Sequence, residues 1–81
     1  MASCKINIYN PNPYDVSIKT GNSPTNAPDG STSLGAGKTE SFNYPQGKWI
    51  FYDKTTKNRR SPVLGQVQFD NQMFVVPQVH D

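Results

Sequence analysis

Few side chains in this sequence could do covalent or acid–base chemistry, and their spacing does not assemble them. The single histidine, His80, is the penultimate residue, where a frayed tail could not hold an imidazole to the tolerance that general-base work requires. Cys4, the lone cysteine, lies at the opposite end of the chain, so the two do not make metal-ligand spacing, and no acidic run resembles a calcium loop. Asp15, Asp29, Asp53 and Asp70 all fall in turn-like positions, where aspartate accepts local backbone hydrogen bonds more readily than it forms a catalytic carboxylate pair. Gly35 and Gly37 lack the lysine and helix of a phosphate loop. The expectation is a protein that is not an enzyme and carries neither metal nor cofactor.

Binding chemistry is better represented. Tyr9 alternates outward from Ile6 and Ile8, while Tyr14 and Tyr44 stand beside prolines in turns, so two or three phenol rings are candidates for exposure. Amphipathic rings of this kind stack on sugar faces or seat at a lipid interface; the competing reading is packing against the neighbouring prolines. Trp49 and Tyr52 precede the only basic cluster, Lys54, Lys57, Arg59 and Arg60, a combination that suits anionic head groups. A solvated loop kept soluble by its charge explains the same cluster without a ligand. The candidate ligand-binding set is therefore Tyr9, Tyr14, Tyr44, Trp49, Tyr52, Arg59 and Arg60.

These residues must be positioned by a small scaffold. Eighty-one residues allow one core, and residues 1–81 read as a single domain. A chain of this size buries only about 60% of the surface its unfolded form exposes, so small domains commonly add a disulfide, a metal or a partner chain. Cys4 cannot form an internal bridge, and a disulfide-free chain of this size fits synthesis in a reducing cytosol. Met1 to Lys5 contains no signal-peptide-like apolar run, and no stretch approaches the length of a membrane span. The expected location is cytoplasmic, with leaderless export left open. A net charge of +2 is too small an excess to point to nucleic acid.

Seven prolines and six glycines at short intervals disfavour helix almost throughout. Alternation predicts strands over Lys5 to Asn10 and Asp15 to Thr20, joined by the stiff Asn-Pro-Asn-Pro corner. Residues 21–33 contain no large apolar side chain and read as a long loop. Lys38 to Asn43 reads as an edge strand and Tyr44 to Gly47 as a turn. Lys48 to Asp53, with Trp49, Ile50, Phe51 and Tyr52 in succession, predicts either a central strand covered on both faces or a strand with one face in the core and the other in an interface. Val63 to Phe69 should place Val63, Val67 and Phe69 on one face and Leu64 on the other. Asp70-Asn71 reads as a hairpin turn into a last strand over Met73 to Val76, and residues 78–81 as a frayed tail. The fold class is all-β: a small antiparallel β-sandwich or barrel of about six strands without disulfides.

The opening K-I-N-I-Y-N with D-V-S-I-K, and the later G-K-W-I-F-Y leading to L-G-Q-V-Q-F-D, resemble the first and last strand pairs of the aegerolysins. Those are small leaderless β-sandwich proteins that bind membrane lipids; a looser similarity reaches actinoporin-like lectins and cytolysins. The resemblance implies the sandwich. It carries over no lipid-binding residues, since aegerolysins are longer and have several tryptophans where this chain has only Trp49. The function expected from residues and resemblance together is glycan or lipid head-group recognition, lectin-like or cytolysin-like and defence-related. Two alternatives stand beside it: a protein-interaction or protease-inhibitor module presenting the 21–33 loop, and a structural subunit of a homo-oligomer.

Overall fold

A computed structural model describes residues 3–24, 29–54 and 62–78. Among these all regular structure is strand, with no helix long and apolar enough to cross a membrane. Among the described residues there are seven strands rather than about six: β1 (Ser3–Tyr9), β2 (Val16–Gly21), β3 (Asp29–Leu34), β4 (Thr39–Pro45), β5 (Trp49–Lys54), β6 (Val63–Gln66) and β7 (Gln72–Val75). They form two sheets, one ordered β4-β1-β7 and the other β3-β2-β5-β6.

The strands form where alternation supplies an apolar face. Ile6 and Ile8 of β1, with Cys4, and Val16 and Ile18 of β2 are buried, and they meet Leu34, Ile50, Val67, Phe74 and Val76 in one cluster drawn from both sheets. The architecture is therefore two-layer and sandwich-like. The layers approach closely at Gly65, where an added Cβ would stand 2.6 Å from the Phe74 ring, so only glycine lets β6 lie over that side chain. β5 is covered on both faces as its composition predicts. Ile50 joins the shared core, while Phe51 and Asp53 are buried on the opposite side.

Four features differ from the sequence reading. Residues 29–33 of the expected 21–33 loop belong to a strand, Asp29–Leu34, antiparallel to β2; a polar segment can hold an edge position because its neighbour's ladder supplies the hydrogen bonds, and Leu34 reaches the core. Residues 25–28 of that loop, and 79–81 of the expected frayed tail, lie outside the described residues. Asp70-Asn71 does not close a hairpin. It carries the chain from one sheet to the other, with the Asp70 carboxylate accepting from the Lys5 amide (2.8 Å), the Asn71 amide donating to the Lys5 carbonyl (2.6 Å), and Asn71 itself at φ 65°. As a result β7 runs parallel to β1, with Ile8 opposite Phe74, so the fold is not purely antiparallel.

The face expected to carry Val63, Val67 and Phe69 also breaks. Val67 is buried, but Val63 and Phe69 are exposed (38% and 57%) and Leu64 packs against the core. Strand β6 ends at Gln66, and its register with β5 shifts at Ile50/Phe51, so the alternation counted from Val63 does not survive to Phe69. Finally, Tyr44 belongs to β4 and not to the following turn.

Two buried asparagines lock the corner after β1. The Asn10 carboxamide nitrogen donates to the carbonyls of Tyr14 (2.8 Å), Leu34 (3.2 Å) and Gly35 (3.2 Å). Its oxygen accepts from both the backbone and side-chain nitrogens of Asn12, at 3.0 and 2.9 Å. Asn12 in turn donates to the Pro77 carbonyl and accepts from the Tyr14 hydroxyl. Replacing Asn10 by Ala leaves several buried groups without partners, each at about 1–3 kcal/mol, so urea unfolding should show a loss of at least about 3 kcal/mol. A loss below about 1 kcal/mol would contradict the role assigned to this network.

Candidate functional site

The aromatic candidates do not share a surface. Tyr9 is half-buried on the outer face of the β4-β1-β7 sheet, since β1 alternates and Ile8 points to the core. Tyr44 takes the register position opposite Cys4, on the inner face of the same sheet, where its ring stacks on Phe42 at 5.7 Å and 6°. Tyr52 packs against the core from β5, opposite Ile18, and Tyr14 packs against it from the β1–β2 corner. Trp49 lies on the outer face of the other sheet, opposite Gly21. Arg59 and Arg60, with Lys57, lie outside the described residues. The expected exposure of Tyr14 and Tyr44 beside their prolines is replaced by partial burial, because β4 continues through Tyr44 with the parity of Phe42.

A shallow groove of about 320 Å³ opens beside the β4–β5 turn, lined by Asn22, Pro45, Gln46, Gly47 and Lys48. Gly47, at φ 95°, makes the turn that sequence predicted there. Two of the groove's polar groups are already engaged: the Lys48 ammonium donates to the Asn22 Oδ1 (2.7 Å) and the Gln46 amide to the Gln68 carbonyl outside the groove (2.9 Å). Such a site offers one cation, already hydrogen-bonded to Asn22, and no stacking ring in its lining.

The β7 side of the first sheet is different in kind. Met73 and Val75 pair with Asn7 and Tyr9 on its outer face, and each is 54% exposed. Together with Tyr9 they form an apolar strip, while the β4 half of the same face is polar, with the Ser41 hydroxyl donating to Asn7 Oδ1 at 2.7 Å. β7 also ends the sheet. The Val76 amide donates to the Tyr9 carbonyl (2.9 Å), so by strand alternation Phe74 and Val76 aim their main-chain groups at β1. Met73 and Val75 then aim theirs at the open edge.

The other three sheet edges are blunted. β4 carries Glu40 and ends on Pro45; β3 has a register shift against β2; β6 has one against β5. β7 has neither charge, proline nor bulge within Gln72–Val75. Sequence reasoning identified this strand but not its exposed face, because Met73, Phe74, Val75 and Val76 are all apolar and period-two alternation has nothing to sort. No family model, curated protein or solved structure matches this chain.

The inward placement of Tyr44 has a measurable correlate. Burial raises its phenol above the ordinary value of 10.0. The fold thus favours the neutral phenol, and the corresponding stability is complete below about pH 10, where the unfolded phenol begins to ionise, and is lost as pH rises through the folded-state value. Tyr44→Phe should retain the stacked ring and reduce the fall in urea midpoint between about pH 9 and about pH 11. Equal falls for the two proteins would show that the ring ionises as freely in the fold as out of it.

Proposed function

We propose that this protein is a non-enzymatic interaction module that binds an extended polypeptide segment by adding it as a strand beside β7. The observation that carries the reading is the open edge at Met73 and Val75, where main-chain groups that no strand pairs among the described residues coincide with two exposed apolar side chains. In strand addition the main-chain hydrogen bonds supply affinity, and the alternate side chains supply selectivity. The preferred ligand is an uncharged segment with apolar residues at every second position, since these would lie beside Met73, Val75 and Tyr9. The experiment is a fluorescence-anisotropy titration of labelled peptides of that pattern. Binding in the micromolar range is expected, together with its loss in Val75→Pro, which removes an edge-facing N–H at a position where proline is tolerated. No binding at millimolar protein, or binding indifferent to Val75→Pro in a folded variant, would overturn the reading.

Glycan or lipid head-group recognition is the second reading. It is supported by the Tyr9 ring standing beside Met73 and Val75 on one face, an amphipathic phenol next to apolar surface. Separation of the other three tyrosines leaves this reading dependent on Tyr9. Liposome flotation and a glycan array should then give a signal that Tyr9→Ala removes; silence in both assays at micromolar protein disposes of it.

A further inference from the structure

We infer that the strand occupying the β7 edge is β7 of a second copy, related by a two-fold axis through Phe74. The inference rests on the strand-addition reading and names its partner. An antiparallel pairing of β7 with itself places Met73 of one copy opposite Val75 of the other, and the reverse, so that each of these pairs exchanges both its N–H and C=O groups. These are the residues whose main-chain groups face the open edge. The outer face then gains a continuous apolar strip, Met73 and Val75 from each copy flanked by the two Tyr9 rings.

Charge allows this seam. Each copy carries a net charge of +2, yet Gln72 to Pro77 contains no ionisable side chain, so copies meet there without like charges in contact. The nearest acid, Asp70, is engaged with the Lys5 amide and falls opposite the neutral Gln78 in this register. The other edge of the same sheet would bring Glu40 to the seam instead. An unrelated chain would have to supply the same apolar alternation, whereas a second copy supplies it by symmetry.

Size sets the strength. A four-residue strand and two exposed apolar side chains per copy fall well short of the roughly 1,200–2,000 Å² typical of stable interfaces, so the dimer is a weak one, forming in the micromolar to millimolar range.

Sedimentation equilibrium of the full chain from about 1 μM to 1 mM tests this, and the apparent mass should rise with concentration from 9.0 kDa toward twice that value. Val75→Lys and Met73→Lys place a charge at the seam on an exposed face, and each should weaken the association at least about ten-fold, with unchanged circular dichroism and urea midpoint. Val63→Lys, at an exposed apolar position of the other sheet, should leave it intact. A protein that stays monomeric throughout while binding the test peptides overturns self-pairing and leaves strand addition standing. Failure of both assays overturns both. A dimer that survives Val75→Lys and Met73→Lys but not Val63→Lys places the contact elsewhere and overturns the inference.

Discussion

One buried carboxamide ties together strand ends from both sheets. Asn10 reaches the end of β3 and the turn beyond it through Leu34 and Gly35, the start of β2 through Tyr14, and, by way of Asn12, the chain after β7 at Pro77. Its own amide donates to the Lys38 carbonyl just before β4. A polar group taken fully out of water is costly unless its donors and acceptors are all engaged, and here the lattice of bonds is dense enough to engage them. Pro11 and Pro13 carry no N–H of their own and fix φ, which stiffens the corner that holds the two asparagines.

This constraint sets the geometry on which the functional reading rests. Pinning Pro77 to Asn12 and Val76 to Tyr9 draws the chain after Asp70 alongside β1 instead of back onto β6. The edge at Met73 and Val75 is thus a by-product of how the corner is locked. The two-sheet core then fixes which side is outward: Phe74 fills the space that Gly65 leaves open, so its neighbours at 73 and 75 must face solvent.

Much of the scaffold was legible because it obeys period-two alternation. Ile6 and Ile8, and Val16 and Ile18, announce half-buried strands, and the unbroken run from Trp49 to Tyr52 announces a strand covered twice. β3 was not legible, since a polar edge strand needs one inward side chain and its hydrogen bonds come from β2, a long-range partner with no local signature. The same limit hid the parallel pairing. Asp70-Asn71 has the composition of a hairpin turn, and nothing within a few residues reveals that its bonds go to Lys5. Of the candidate site, Tyr9 was read correctly as outward-facing, while Tyr44 was misplaced because Pro45 looked like a strand stop and is instead the strand's last residue on an edge.

The parallel pairing of β1 with β7 also dictates a temporal order. β1 meets β4 and β2 meets β5 across connections of nearly equal length, whereas β1 meets β7 across more than twice that length, the longest connection between paired strands in the fold. Closing the longest loop costs most entropy before any contact repays it, so the other pairings can form while the β7 side of β1 still waits. On the ribosome, the oldest strand of this domain spends synthesis with one flank bare until β7 has emerged, and the shielding of Ile8 by Phe74 arrives as the closing step of maturation.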